Sequence, residues 1–216
     1  MADQNPYRWH ILLSLGFFLG ITMVFFAVAT RPEKKIEIET VETPELTTPT
    51  VSFIDPQVGA EAPIITIVEF ADFTCEACVE ASTNLARLLN TYPDEVRIVW
   101  KDFPNESKSP EATPAAVAAR CAAEQNAFWQ YHDELFLRQN QLGSDTYTAI
   151  AEALGLNTRT FESCVASSDT LPRVRKDFEE GLALKITATP TLFINGERYV
   201  GAVSYEDLSA LVKAAR

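Results

Sequence analysis

The sequence predicts an α/β domain in which an inserted all-helical subdomain separates two groups of strands, with one N-terminal transmembrane helix in front. Three observations support this fold class. Residues 64–70 form an almost unbroken apolar, β-branched run, which is typical of a central strand covered on both faces. From about residue 110 to 187, apolar residues follow a helical period. Strand character returns at residues 191–194, directly before Asn195-Gly196, a strong signal for a tight hairpin.

The first group of strands is joined by a helix. After Cys75, apolar residues recur at helical spacing, at Cys78, Ala81, Leu85 and Leu88. Residues 96–100 then alternate as a second strand. A strand–helix–strand crossover implies parallel pairing. The predicted domain covers residues 51–216 in the order β-α-β, helical insertion (about 110–187), β-β-α.

Composition narrows the possible functions. The chain has 216 residues, of which 47% are hydrophobic and 22% charged, as is ordinary for a globular protein. The formal net charge of −12 argues against a nucleic-acid partner, because phosphate binding requires clustered Lys and Arg. Four cysteines are too few for a disulfide scaffold but enough for two pairs.

A short flank at residues 1–10 precedes an uncharged apolar segment at residues 11–30. About twenty apolar residues match the thickness of a bilayer core, so we predict a transmembrane anchor that contacts the lipid bilayer. The alternative is a cleaved signal peptide, since Ala27-Val28-Ala29 resembles a small-residue cleavage site.

Two signals conflict on the orientation of this segment. Lys and Arg are more frequent after it than before it, which would place the domain in the cytoplasm. That rule weakens for large translocated domains, and the cysteine chemistry below favours the outside. We therefore predict a single-pass protein of the cell membrane with its main domain extracytoplasmic, on the periplasmic or cell-surface side.

Residues 31–50 are rich in Glu, Thr and Pro and contain only scattered apolar side chains. Such a segment cannot bury enough apolar surface to offset the entropy of ordering it. We predict a flexible linker. An edge strand around residues 35–41 is the alternative.

The Cys75-Glu76-Ala77-Cys78 motif lies between a predicted buried strand and the start of a helix. Unpaired N–H groups at a helix N-terminus stabilise a thiolate and can lower a cysteine pKa to roughly 3.5–7.5. We expect Cys75 to be the nucleophile and Cys78, one turn further along, to resolve the mixed disulfide. A zinc site would need a second ligand pair at suitable spacing, so we expect no metal and no cofactor besides the redox-active disulfide.

Residues 70–78 (FADFTCEAC) and 189–196 (TPTLFING) together resemble the DsbA-like branch of the thioredoxin superfamily. A Cys-x-x-Cys pair with a later Thr-Pro-Thr is far more specific than either motif alone. The resemblance extends from about residue 51 to the C-terminus. It implies a thioredoxin-like fold with a helical insertion, and disulfide exchange with exported proteins.

The resemblance also implies roles for residues outside the cysteine pair. Pro190 matches the family's cis-proline, which presents the backbone of the preceding residue, Thr189, to the substrate; an ordinary trans proline is the alternative. Glu69 matches a buried acid whose pKa burial should raise and which could exchange a proton with Cys78. Its alternative is a carboxylate that reaches solvent at the strand end. Substrate contacts are expected at Thr189, Pro190, Glu76 and Ala77.

The dipeptide Glu76-Ala77 departs from the family's commonest form. Many strongly oxidising members have Pro-His there, and a histidine cation would stabilise the thiolate. An acid opposes thiolate formation. We therefore predict a weaker oxidant with a less depressed Cys75 pKa.

The two remaining cysteines lie in the predicted insertion. Some DsbA-like proteins have a structural disulfide there, and Cys121 and Cys164 match that arrangement. Such a bond would stabilise the fold by roughly 4 kcal/mol in the chain-entropy model. Two separate buried thiols are the alternative. His132 lies in an aromatic stripe and is most simply a histidine at the edge of the core.

The predicted function is that of an extracytoplasmic thiol–disulfide oxidoreductase. As an oxidase it would donate its disulfide to unfolded or reduced exported proteins, and a membrane redox partner would reset it. A reductase or isomerase is the alternative within the same chemistry, because direction depends on reduction potential and partner. A non-catalytic, membrane-displayed binding module or chaperone is the alternative from another class, although two retained active-site cysteines argue against it.

Overall fold

The computed structural model describes residues 7–29 and 46–216. The chain divides into an N-terminal unit that ends at Thr43 and a larger unit that begins at Pro44. The first unit contains helix α1 (Tyr7–Ala29), which begins within the predicted flank. Among the described residues, no helix combines the length and the hydropathy that crossing a bilayer requires.

Several predictions concern residues that the structure does not describe. They are the first part of the flank (1–6), the end of the anchor (residue 30), most of the linker (31–45) and the alternative edge strand (35–41). The remaining linker residues, 46–50, are described.

These last linker residues lie against the domain. Leu46 packs beside a buried apolar cluster, and the backbone N–H and hydroxyl of Thr50 donate to Glu180 Oε1 at 2.5 and 2.6 Å. Contacts with the domain therefore begin in front of residue 51, the predicted boundary. Residues 52–55, near the start of the predicted domain, form a turn closed by hydrogen bonds between Ser52 and Asp55.

One five-stranded mixed sheet forms the centre of the larger unit, with strand order β1-β3-β2-β4-β5. Only the pair β2–β3 is parallel, and it is joined through helix α2 (Glu76–Thr91), as the crossover predicted. The other pairs are antiparallel. The strands are β1 (Gln57–Gly59), β2 (Ile65–Ala71), β3 (Val96–Asp102), β4 (Thr191–Ile194) and β5 (Glu197–Val200).

The helical insertion lies between β3 and β4. It contains α3 (Ala112–Ala123), α4 (Phe128–Leu137), a 3-10 turn (Gln139–Gln141), α5 (Ser144–Ala153), α6 (Thr158–Ser167) and α7 (Leu171–Ala183), and α8 (Tyr205–Ala214) closes the chain. Residues 114 to about 139 have the apolar period expected of one helix, but the structure has two helices there, α3 and α4. The break lies at Asn126, whose φ of 60° is left-handed, a conformation that Asn tolerates at helix ends.

Side chains alternate between the two faces of the sheet. On one face, Ile67 and Ile98 pack with Leu85 and Leu88 of α2. On the other, Phe70 packs with Phe103 and Phe193 beside α7. The parallel strands end where α2 begins, and this edge holds the candidate site.

Candidate active site

Cys75 and Cys78 lie at the junction between β2 and α2. Cys75 is the N-cap residue of α2, with φ −88° and ψ 120°, and the Cys78 N–H donates to its carbonyl at 3.1 Å. Both cysteines are free thiols; Cys75 is partly exposed, whereas Cys78 is completely buried. Cys75 is therefore the sulfur that another protein can reach.

The surroundings of Cys75 lower the pKa of its thiol to about 6. The largest cause is a hydrogen bond from the Cys78 side chain, which outweighs the opposing effect of burial. The Thr189 side chain and the Cys78 backbone lower the pKa further, and the charge of Asp72 raises it. At neutral pH, Cys75 is mostly a thiolate, the form that attacks disulfides and leaves readily.

Cys78 and Glu69 behave in the opposite way. Burial raises the pKa of Cys78 far above its usual range, and its hydrogen bond to Cys75 adds to the effect. Glu69, on β2, is 1% exposed, and burial, with the charge of Cys75, raises its pKa to about 8. The charge of Glu69 also raises the pKa of Cys78, so the two groups interact. The predicted buried position of Glu69 is confirmed, and the solvent-reaching alternative is wrong.

A loop before β4 faces the cysteine pair. The Thr189–Pro190 peptide bond is cis, as predicted. The Cys75 thiol donates to the Thr189 carbonyl oxygen at 3.3 Å, whereas the Thr189 side chain favours the thiolate form. Residues 114 positions apart in the chain thus form one site. Pro190 is buried and Thr189 is partly exposed, so the Thr189 backbone is accessible beside the reactive sulfur.

The turn that carries Cys75 is held by two side chains that the sequence reasoning did not assign. Asp72 Oδ1 accepts from the Thr74 N–H at 2.7 Å, and Asp72 Oδ2 accepts from the Asn105 N–H at 2.8 Å. Gln139 Nε2 donates to the carbonyls of Phe73 and Cys75 at 2.8 and 2.9 Å. An Asp whose side chain accepts from the N–H two residues further on is a recognised turn motif, but no local pattern marks Gln139.

Glu76 and Ala77 are exposed at the start of α2. Water therefore screens the charge of Glu76. The carboxylate that raises the pKa of Cys75 is the buried Asp72, at 3% exposure. The Cys75 pKa of about 6 lies within the roughly 3.5–7.5 range of activated cysteines.

The insertion contains the disulfide between Cys121 of α3 and Cys164 of α6, with an S–S distance of 2.04 Å. The alternative of two separate thiols is wrong. The bond closes a separation of 43 residues within the helical insertion and leaves Cys75 and Cys78 as the pair available for exchange.

His132 lies deeper than the edge of the core. It is 3% exposed, and its ring is edge-on to Trp100 and Phe136, with centroid distances of 4.9 Å to each. Its Nδ1 is 2.8 Å from Asp133 Oδ1. Within residues 7–29 and 46–216, no three His, Cys, Asp or Glu side chains are arranged to hold a metal ion.

Comparison with known proteins places this geometry in a family. A family model described as Thioredoxin matches residues 54–214. The chain belongs to the thioredoxin family. The match covers the sheet, the cysteine pair and the whole insertion, so the thioredoxin-like domain predicted from the two motifs is confirmed.

Solved structures share this thioredoxin fold. The thiol-disulfide exchange protein alpha-DsbA2 from Wolbachia pipientis has a TM-score of 0.69 at 18% identity, over 76% of this chain and 89% of that one. Oxidised BdbD from Bacillus subtilis has a TM-score of 0.69 at 18% identity, over 78% and 95%. The catalytic domain of Proteus mirabilis ScsC has a TM-score of 0.66 at 24% identity, over 76% and 90%.

Curated relatives in sequence are much longer proteins. A Na(+)/H(+) antiporter NhaA 3 from Salinispora tropica is 39% identical over 155 residues, which are 72% of this chain and 24% of the relative. A Na(+)/H(+) antiporter NhaA from Herminiimonas arsenicoxydans is 30% identical over 212 residues, 95% of this chain and 32% of the relative. The chain thus spans about a quarter to a third of these relatives.

Proposed function

We propose that this protein is an extracytoplasmic thiol–disulfide oxidoreductase that oxidises exported proteins. The observation that supports this function best is the 3.3 Å contact between Cys75 Sγ and the carbonyl of Thr189, next to the cis bond to Pro190. A reactive, partly exposed sulfur lies beside accessible backbone, and Cys78 lies behind it, out of contact with solvent. This arrangement lets a bound polypeptide approach Cys75 alone.

The exchange would proceed in two displacements. A substrate thiolate attacks Cys75 Sγ of the oxidised pair, the Cys75–Cys78 bond breaks, and Cys78 leaves and takes a proton from the Glu69 carboxyl. A second substrate thiolate attacks the substrate sulfur of the mixed disulfide, and Cys75 leaves as a thiolate. The substrate loses two electrons and gains a disulfide, and the pair Cys75–Cys78 is reduced. The lowered pKa of Cys75 favours this direction because it makes Cys75 the better leaving group.

A groove beside the site would accept the substrate chain. Its volume is about 680 Å3, and its lining includes Phe103, Phe178, the half-exposed Leu182 and residues 187–189 of the cis-proline loop. An apolar wall next to accessible backbone suits an unfolded segment, which offers both apolar side chains and free peptide groups. We therefore expect broad specificity for reduced, unfolded chains.

The test is the thiol chemistry itself. Cys75→Ser should abolish both insulin reduction and oxidation of a peptide with two cysteines, since no sulfur remains to attack. Cys78→Ser should accumulate a mixed disulfide through Cys75, because the resolving thiol is gone. A Cys75→Ser protein that keeps either activity would refute the function, and so would a wild-type chain with neither. The reduction potential of the pair separates an oxidase from a reductase or isomerase.

Membrane anchoring through residues 11–30, with the domain outside the cytoplasm, is part of the proposal. It is supported by the uncharged apolar segment at residues 11–30, whose length matches the thickness of a bilayer core. An impermeant thiol reagent added to intact cells should label Cys75, and alkaline carbonate should leave the chain in the membrane. Labelling only after lysis would refute the location, and release by carbonate would refute the anchor. Reoxidation by a membrane redox partner belongs to the same proposal.

A further inference from the structure

A cavity of about 220 Å3 lies behind the active site, between α2 and α4. Its walls include Glu69 and His132, which are 1% and 3% exposed. They also include Ala86, Asn90 and Asp133, which are exposed. The cavity therefore leads from the buried carboxyl that interacts with Cys78 to the surface of the domain.

Three buried polar atoms belong to residues that line this cavity and have no hydrogen-bond partner in the part of the chain that the structure describes. They are Glu69 Oε1, Trp129 Nε1 and His132 Nε2. Buried polar groups in folded proteins are nearly always satisfied by protein or by ordered water. A water takes up about 30 Å3 in the liquid, so the cavity has room for several.

The hydrogen-bonding capacities of the three atoms are complementary. Burial lowers the pKa of His132, against the opposing charges of Asp133 and Asp102, so the ring is neutral at pH 7. Its Nδ1–H then donates to Asp133, and Nε2 is an acceptor. The Trp129 indole can only donate, and the carboxyl of Glu69 can donate or accept. Bridging waters can satisfy all three at once.

We propose that this cavity holds a chain of water molecules and that His132 passes protons between that chain and the solvent at Asp133, restoring the proton of Glu69. The proposal rests on the proposed function, in which Glu69 protonates Cys78 each time the disulfide is reduced. One proton leaves Glu69 as the sulfur–sulfur bond breaks, and one returns from solvent, so no further reactant is needed. Because His132 acts through Glu69, it is a positioning residue rather than a catalytic one.

The test measures how fast dithiothreitol reduces the Cys75–Cys78 disulfide of the full chain, at several pH values and buffer concentrations. His132→Phe keeps an aromatic ring in the cluster but removes both nitrogens. We expect reduction about tenfold slower in dilute buffer, a smaller effect than the roughly 10²- to 10⁴-fold of a direct acid or base. Added imidazole should restore the rate, because it carries protons into the space that His132 served.

Two controls separate a relay from packing. Phe128→Leu alters a buried residue one turn away on α4 that does not line the cavity, and its rate should not depend on buffer. In a Glu69→Gln background, His132→Phe should cause no further slowing, because no carboxyl remains to be reprotonated. Equal slowing in the Phe128→Leu and His132→Phe proteins, or slowing that imidazole does not reverse, would overturn the relay.

A second variant keeps the proposal testable if His132→Phe does not fold. Ala86→Leu places a larger side chain at the exposed end of the cavity and should slow reduction, whereas Ala153→Leu, on the exposed surface of α5, should not. An Ala86→Leu protein that reacts at the wild-type rate would refute the relay. Dithiothreitol replaces the protein substrate here, so a wild type that fails with insulin refutes the proposed function by a separate measurement.

Discussion

Buried charges lie on both faces of the β2–β3 pair, and the two faces accommodate them differently. Toward α7, Lys101 is fully buried, and its Nζ lies 3.1, 3.3 and 3.0 Å from carboxylates of Asp55, Asp177 and Glu180. Arg120 of α3 adds two further buried ion pairs. These charges satisfy one another, and they join the start of the domain to β3, α3 and α7.

The opposite face holds Glu69. Its neighbour on β2, Phe70, pairs with Lys101, and consecutive side chains of a strand point to opposite faces. The neighbours of Glu69 across the cavity are the uncharged groups of Trp129 and His132, and its Oε1 has no partner among the described residues.

Burial raises the pKa of Asp177, but the charges of Arg120 and Lys101 hold it to about 6. Glu69, which has no cation beside it in the described ranges, has a pKa of about 8 and can gain and lose a proton near neutrality. We infer that the paired face stabilises the fold and the unpaired face serves the chemistry.

The largest effect should come from breaking the paired face. Lys101→Met removes the cation that three buried carboxylates share, so we expect a loss of about 3–5 kcal/mol in the free energy of unfolding. Urea unfolding measures it. Arg87→Met is the matched control on the surface: it removes an exposed ion pair with Glu206 and a stacking contact with Tyr205, and should cost at most about 1–2 kcal/mol.

The same variant tests whether the two faces are independent. The thiolate titration of Cys75 in the Lys101→Met protein should match the wild type, since Lys101 is not among the groups that shift the Cys75 pKa. A changed titration would mean that the ion-pair network also tunes the active site, and the proposed division between the faces would fail.

On the unpaired face, replacing Glu69 by Gln should stabilise the fold. The pKa of Glu69 is about 8 in the folded chain, whereas an unperturbed Glu has a pKa of 4.5. As pH rises, the unfolded chain therefore loses this proton before the folded chain does. Stability is therefore lost between pH 4.5 and about 8. Glu69→Gln removes this loss and should raise the stability of the reduced chain at pH 7 by on the order of 2–3 kcal/mol, while slowing reduction of the disulfide.

Unfolding of the wild type and of Glu69→Gln across this pH range checks the prediction. The two curves should meet near pH 4, where both side chains are neutral. Glu80→Gln, at an exposed position on α2, should keep the wild-type profile. A Glu69→Gln protein less stable than the wild type at pH 7 would indicate that the carboxylate is paired after all.

Sequence patterns were sufficient to assign a residue's role where the residues that define the pattern are close together in the chain. Cys75 and Cys78 follow a strand and open a helix, and Pro190 lies in a motif of its own, so each could be assigned without knowing what it contacts. The aromatic face around His132 was recognisable as core by its helical spacing, but the cavity beside it was not. A cavity depends on how α2 and α4 pack, and side-chain spacing along one helix carries no such information.

The other features that the sequence did not predict also depend on contacts between residues far apart in the chain. Gln139 donates a hydrogen bond to the Cys75 carbonyl from 64 positions away. A single Gln belongs to no recognisable sequence motif. Lys and Arg are usually exposed, so the sequence gives no reason to place Lys101 and Arg120 in the interior. Both are buried, and only their ion-pair partners, which are distant in the chain, explain why. The contact of Thr50 with Glu180 could not be predicted for the same reason, since it spans 130 positions.

The smallest effect concerns Glu76. Its charge is exposed beside Cys75, so Glu76→Gln should lower the Cys75 pKa only slightly at low salt, and the difference should vanish as salt screens it. Ultraviolet absorbance of the thiolate measures this titration. A fall toward the roughly 3.5 of the strongest oxidants would instead make Glu76 the main determinant of oxidising power. The distinction between a screened surface charge and the unpaired buried groups around Glu69 would then no longer explain how the site is tuned.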